Sequence, residues 1–195
     1  LLSGGIGAGK SAVGELLRAR GALVIDADRV GHRVLEPGGE AYAQVVQAWP
    51  EVAVDGIVDR KRLADIVFDD PAELERLEAF THGAIRRSID ATIEVSCARM
   101  VVVEVPLLWD FMGNGWIRVV VDAEDVARER RLLGRGMDSE DVARRMAAQP
   151  GRAEWTNAAD VTIDNSGSLE DLEGRVAALW VLLQGLAEDE TFDPV

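Results

Sequence analysis

The run Ser3-Gly-Gly-Ile-Gly-Ala-Gly-Lys-Ser11 constrains this chain more than any other stretch of it. The glycines at 4, 5, 7 and 9 end any strand before them, while Val13, Leu16 and Leu17 beyond them fall at helical spacing. Leu1-Leu2-Ser3 reads as the close of a strand that starts before Leu1, and Gly21 as the stop of the helix. The first unit is therefore strand, glycine loop, helix. Gly4-x-x-x-x-Gly9-Lys10-Ser11 matches G-x-x-x-x-G-K-[ST] in full. Such a loop is a phosphate cradle. Backbone N–H groups from Gly4, Gly5, Ile6, Gly7, Ala8 and Gly9 turn inward, and the helix start at Lys10, Ser11 and Ala12 adds its positive end. Lys10 is then placed to reach the β- and γ-phosphates of a nucleoside triphosphate, and Ser11 to hold Mg²⁺. A dinucleotide-binding reading fails, because Gly5-x-Gly7-x-x-Lys10 has lysine in its sixth position.

Four further apolar runs have the look of buried parallel strands: Ala22 to Asp26, Met100 to Val105, Ile117 to Asp122 and Val161 to Asp164. Helical patterns separate them. Asp70-Pro71 is a cap followed by proline at the first helical position, ahead of an apolar stripe at Leu74, Leu77 and Phe80. Residues 125–148 read as helix broken near Gly134-Arg-Gly136. Ser168 to Asp171 opens a last amphipathic helix with Leu172, Val176, Leu179 and Leu183 on its apolar face. Strands joined by helical crossovers predict an α/β fold: a P-loop NTPase-type parallel sheet flanked by helices. The stretches 32–95 and 125–155 are long for crossovers. They read as a helical substrate-binding insertion and a helical lid at the carboxyl edge of the sheet, where such sheets bind ligands.

The bulk composition narrows the partners. At 195 residues and 48% hydrophobic, the chain can build one compact domain. Its net charge of −14 repels nucleic acid and anionic membranes, so an anionic ligand must be met by local donors. One cysteine, Cys97, excludes an internal disulfide, and no basic-then-apolar leader is visible; a cytoplasmic protein is the expectation. No apolar stretch is long enough to span a bilayer. His82 has no cysteine or histidine at ligand spacing, so zinc is unsupported and packing or substrate contact is the expected role.

Several carboxylates and arginines are candidates for chemistry. Asp26 and Asp28 close the second strand, and either can accept a proton or help hold Mg²⁺; alternation would aim one of the pair at the cleft. Helix capping by Asp28 is the competing reading. Glu104 and Asp122 sit on apolar strands as metal-site carboxylates do, with ordinary strand-end polarity as the alternative. Arg131 and Arg135 share a helix face, with Arg145 and Arg152 beyond. At least one arginine of this lid should reach phosphate, against the alternative of a solvated helix paired to Glu124, Asp125, Glu129, Glu140 and Asp141. Trp109, Trp116 and Trp155 are core candidates first and cleft candidates second.

Taken together, these motifs resemble the dephospho-CoA kinase family over essentially the whole chain. The carriers are Ser3 to Ser11, Val24-Ile-Asp-Ala-Asp28, Glu36-Pro-Gly38, Asp55-Gly with Asp59-Arg60, Ile66-Val-Phe68, Val105-Pro-Leu-Leu108 with Asp110, Arg131, Arg135, Gln149, Arg152, and Ile163-Asp-Asn165-Ser-Gly167. The resemblance implies a nucleotide core at about 1–29, 96–124 and 156–195, a helical CoA-binding sub-domain at about 30–95 and a lid at about 125–155. It implies ATP- and Mg²⁺-dependent phosphorylation of the ribose 3′-hydroxyl of dephospho-CoA, in a family of monomers and trimers. Asp28 would be the general base, with Lys10 and Arg131 acting on the transferred phosphoryl group. Arg135 would serve the nucleotide, and Asn165 would lie near its adenine. Ser3, Asp28, Arg60, His82, Pro106, Leu107 and Leu108 would meet the substrate. Ser11 would hold Mg²⁺, with Asp26 or Glu104 as candidates to share it. Gly83 departs from the family's proline and predicts a loosened helix start there; Trp155 departs from a second arginine. Another small-molecule P-loop kinase, acting on a nucleoside or nucleotide, shares every feature except the longer motif set. A nucleotide-dependent switch is the third reading, weakened by the absence of a guanine-reading N-K-x-D.

Overall fold

The structure, a computed structural model, describes residues 1–106 and 112–188. Five strands form one sheet: β1 (Leu2–Ser3), β2 (Leu23–Asp26), β5 (Val101–Glu104), β6 (Val119–Asp122) and β7 (Val161–Asp164), in the order β2-β5-β1-β6-β7. β1 runs parallel to both β5 and β6, and β6 runs parallel to β7 with Val119 opposite Val161 and Asp122 opposite Asp164. Strands without alternation suit this arrangement. Val119, Val120 and Val121 are all buried, as expected for a strand covered on both faces. All five expected strands are present, although Ile117 and Arg118 precede β6 rather than belong to it.

α1 (Lys10–Arg18) and α9 (Leu169–Glu188) cover the sheet. Val13 and Leu17 from α1 and Leu172, Val176 and Leu179 from α9 join Leu2, Val102, Val119, Val121 and Ile163 in one buried cluster. The start of α9 is fixed as the sequence proposes. Ser168 Oγ accepts from the Asp171 amide at 3.1 Å, while Asp171 Oδ2 accepts from the Ser168 amide at 2.9 Å. α6 (Asp125–Gly134), α7 (Ser139–Ala147) and the short α8 (Arg152–Asn157) lie between β6 and β7. The break expected near residue 135 separates α6 from α7.

The chain divides into two compact units, Leu1–Ile25 with Cys97–Val195, and Asp26–Ser96. The second contains α2 (Ala27–Val34), α3 (Tyr42–Ala48), α4 (Arg60–Val67) and α5 (Pro71–Glu94). Its core is Val45, Trp49, Val52, Val58, Leu63 and Val67, with Leu74, Leu77 and Phe80 of α5 against it. Trp49 Nε1 donates to Glu73 Oε2 at 2.7 Å, and the Arg76 guanidinium lies 5.3 Å from the Trp49 ring centre. α5 caps on Asp70 with proline at its start, as predicted. It then runs straight through Gly83, so the loosened helix start expected there does not exist: a glycine in the interior of a 24-residue helix costs propensity without ending it. This unit also holds a hairpin that the helical reading of the segment missed, β3 (Ala53–Val54) and β4 (Ile57–Val58), turning at Asp55 and Gly56. Both turn residues have positive φ, 51° and 78°, which is the geometry an Asp-Gly pair favours.

Candidate active site

The chain order reverses around β1, which lies between β5 and β6, and the glycine loop leaves its carboxyl end at that switch point. The loop closes on itself through the Ala8 amide to Gly5 O at 3.1 Å. The amides of Ala12 and Val13 both donate to Gly9 O, so the amides ahead of them point out of the start of α1. Ser11 and Ala12 are exposed in that first turn. Lys10 folds back along the loop, its Nζ donating to Gly4 O at 2.6 Å.

Two residues from beyond β6 hold the loop's second half. The Asn165 carboxamide is buried (6% exposed), and its Nδ2 donates to Ala8 O at 2.7 Å. Arg131 of α6 donates to Ala8 O at 3.3 Å and to Asn165 O at 2.6 Å. Burial lowers the Arg131 guanidinium pKa from its ordinary value, and the positive charges of Arg130 and Arg135 push it the same way. Among the described residues no carboxylate pairs with Arg131. Arg145 does pair, with Asp141 at 2.9 Å, and Arg152 grips Asp122 with Nε at 2.8 and 2.9 Å from the two carboxylate oxygens. Arg135, at the end of α6, is exposed. The arginines of this segment therefore divide: Arg145 and Arg152 are paired to carboxylates, while Arg131 sits on the loop without one among the described residues.

Gly9 has φ +103°, and a Cβ there would lie 2.2 Å from Asn165 Nδ2. Gly9→Ala is expected to displace Asn165 and strain the loop, costing roughly 1–3 kcal/mol of stability and weakening ATP binding. Urea unfolding and calorimetric titration with ATP measure the two effects; a variant matching the parent in both would show that the loop tolerates a side chain there.

The sequence candidates fall in distinct places. Asp122 is held by the Arg152 guanidinium, whose NH2 donates to its Oδ2 at 2.6 Å. Glu104 closes β5 with its carboxylate against α1, where a Cβ on Gly14 would come within 2.1 Å of its Oε1. Ser3 is buried in β1. Trp155 is 2% exposed with its Nε1 donating to Pro150 O at 3.1 Å, so the core reading of this tryptophan holds. In the loop after β7, the Ser166 hydroxyl donates to Asp164 at 2.6 Å, which holds the Asp164 carboxyl below the usual carboxylate range; Arg175 adds to this. Pro106 follows β5, while Leu107, Leu108, Trp109 and Asp110 lie outside the described residues.

Asp28, Arg60 and His82 belong to the helical unit. β2 ends at Asp26 and α2 begins at Ala27, so strand alternation does not extend to Asp28. The capping role weighed for Asp28 belongs to Asp26, whose Oδ1 accepts from the Arg29 amide at 3.1 Å. Asp28 is an exposed residue of the first turn. Arg60 opens α4 behind its cap Asp59. Burial pushes the His82 imidazole below its ordinary pKa, against an opposing pull from Glu78.

A cavity of about 440 Å³ at the amino edge of the sheet, lined by Leu1, Met100, Ile117, Leu179 and Leu183 among others, is mostly apolar and offers no acid, base or nucleophile. Among the described residues no three histidine, cysteine or acidic side chains gather as a metal site. A single hydroxyl at a phosphate cradle fits a cation held largely by phosphate oxygens and water, as Mg²⁺ is. None of the helices among the described residues is long and apolar enough to cross a membrane.

Comparison with known proteins agrees with this geometry. Residues 1–171 match the family model for dephospho-CoA kinase. A dephospho-CoA kinase of Frankia casuarinae is 44% identical over 184 residues, covering 92% of this chain and 80% of the relative. The crystal structure of TT1252 from Thermus thermophilus superposes with a TM-score of 0.81 at 35% identity, over 93% of this chain and 95% of that one. A dephospho-CoA kinase from Campylobacter jejuni, at 22% identity and covering 94% and 96% of the two chains, shares the fold with a TM-score of 0.67.

Proposed function

The chain belongs to the dephospho-CoA kinase family, and from that premise we propose that it transfers the γ-phosphoryl group of ATP to the ribose 3′-hydroxyl of dephospho-CoA, giving coenzyme A and ADP. The observation that carries phosphoryl transfer is the cationic pair on one loop, Lys10 and Arg131, the latter without a carboxylate partner among the described residues in a protein of net charge −14. A cation whose pKa is lowered by burial and by its positive neighbours is stabilised by an arriving polyanion. The acceptor is read from family membership.

In the reaction the 3′-oxygen bonds to the γ-phosphorus in line with the bond to the β–γ bridging oxygen, which breaks and leaves with ADP. Asp28 takes the hydroxyl proton. Backbone amides of residues 4–9 and the start of α1 bind the phosphates, and Lys10 and Arg131 neutralise charge as the bridge breaks. Arg135 adds to the positive field over the nucleotide, and Asn165 lies near its adenine. Ser11 would hold Mg²⁺, with Asp26 or Glu104 as candidates to share it, and the ion would supply further neutralisation of phosphate charge. Ser3, Arg60, His82, Pro106, Leu107 and Leu108 are the remaining contacts for dephospho-CoA. The 26–96 unit is its binding sub-domain, and the 125–155 segment is the lid that covers the triphosphate and excludes water.

One assay tests the acceptor: ADP release with dephospho-CoA, with AMP, with a nucleoside and with none. Stimulation by dephospho-CoA alone is the expected result. Stimulation by AMP or a nucleoside instead would make this another small-molecule kinase, and release unaffected by any acceptor would favour a nucleotide switch.

A further inference from the structure

A second arginine of α6 touches the phosphate loop, at the backbone oxygen of Ile6 rather than alongside Arg131's contacts at Ala8. Arg128 is 6% exposed, although it carries a full charge. Its Nε donates to Ile6 O at 2.9 Å and its NH1 to Asp125 Oδ1 at 3.0 Å. Its NH2 lies 3.4 Å from Gln149 Oε1, and that same oxygen accepts from the Ile6 amide at 2.7 Å. Ile6 is therefore held at both backbone groups by side chains of residues far away in the chain, one on α6 and one just past α7. The fit is close: a Cβ on Gly5 would lie 2.6 Å from Arg128 NH2, so the guanidinium lies where only glycine lets it.

Burying a guanidinium is costly, and an apolar side chain in the same volume would be at least as stabilising. Arg128 sets geometry instead. A glycine-rich loop has many conformations, and ordering it when nucleotide arrives would subtract from affinity. We propose that Arg128 and Gln149 form a clamp on Ile6 that holds the phosphate loop in its nucleotide-receiving shape, making them positioning residues for ATP. The proposal rests on the reading of this loop as a triphosphate site. It also makes α6, the turn after α7 and the loop one mechanical unit: when Arg131 meets phosphate, the clamp one turn away on the same helix fixes the loop against it.

The test measures ATP binding directly, by calorimetry without acceptor, on the full chain and on Arg128→Lys, Gln149→Leu and the double variant. Arg128→Lys keeps the charge but loses the fork; Gln149→Leu keeps the volume but loses the acceptor. Each is expected to weaken ATP binding about tenfold, the equivalent of one hydrogen bond lost from a shaped site. The KM for ATP rises while that for dephospho-CoA stays, and the Ile6 amide exchanges faster with solvent. The double variant loses less than the product of the singles, because the two residues act through one peptide. Variants that melt earlier yet bind ATP within twofold of the parent would overturn the clamp and leave a structural role. Near-parent binding by Arg128→Lys alone would reduce Arg128 to a point charge and also overturn it. If Arg128→Lys fails to fold, the half-buried Gln149 decides through its own ATP affinity and the Ile6 exchange rate. A parent protein that does not bind ATP would overturn the triphosphate reading itself, a result distinct from a parent that binds and variants that bind as well.

Discussion

Replacing Lys10 with methionine is expected to lower turnover by about 10²–10³-fold, the usual cost of removing one preorganised donor from developing negative charge. Lys10 Nζ rests on Gly4 O at 2.6 Å, a neutral oxygen that a phosphate readily displaces. The loss should be severe because the protein offers no general positive field: its net charge is −14, and lysine occurs elsewhere only at position 61. Arg145 and Arg152 cannot take over, since both are paired to carboxylates. Lys10→Arg should not restore turnover, because a planar fork cannot occupy the place of a compact ammonium between loop and phosphate. Steady-state ADP release at saturating ATP and dephospho-CoA measures the effect. Turnover within tenfold of the parent would remove Lys10 from the transition state.

The parts of this fold that were legible in advance are those whose signals are local and repeated. Buried parallel strands appear as unbroken apolar runs, and Val119-Val-Val121 carries that signature whatever surrounds it. The caps at Asp70 and Ser168 were legible because capping is chemistry within four residues. The hairpin at 53–58 was missed for the opposite reason. Two-residue strands show no period, and only the Asp55-Gly56 turn announces them.

The site was half legible on the same principle. Gly4 to Ser11 form their cradle from adjacent residues, so their role follows from spacing. Arg128 does not: its neighbours Arg130 and Arg131 give the helix a polar face in sequence, and nothing local says which arginine is buried. Its one hint is shared with the buried Ala127 and Leu132, which place it on the inward side of α6 once that helix is docked. Gly14 has a similar hidden partner in Glu104, and Asn165 in Ala8; in each case two segments far apart in sequence specify one contact. Asp26 and Asp28 show how one residue of helix register decides a role. Beginning α2 at Ala27 hands the cap to Asp26 and leaves Asp28 free of that duty.

That reassignment sharpens the second large prediction. If Asp28 were the cap, its replacement would cost stability and blur any catalytic reading; with Asp26 accepting from the Arg29 amide, Asp28→Asn tests chemistry. Asparagine keeps the shape and a hydrogen-bond acceptor for the substrate hydroxyl, but it cannot take the proton as the phosphoryl group transfers. The expected loss in turnover is about 10²–10⁴-fold, the range of a general base, with ATP affinity within about twofold because no phosphate contact is removed. Losing a first-turn charge that favours the helix dipole costs about 0.3–1 kcal/mol. Rapid-quench measurement of a single turnover separates the chemical step from product release. A slow chemical step with parent-like ATP binding is the expected result. An unchanged chemical step would mean that the proton leaves by another route, and that Asp28 at most orients the acceptor.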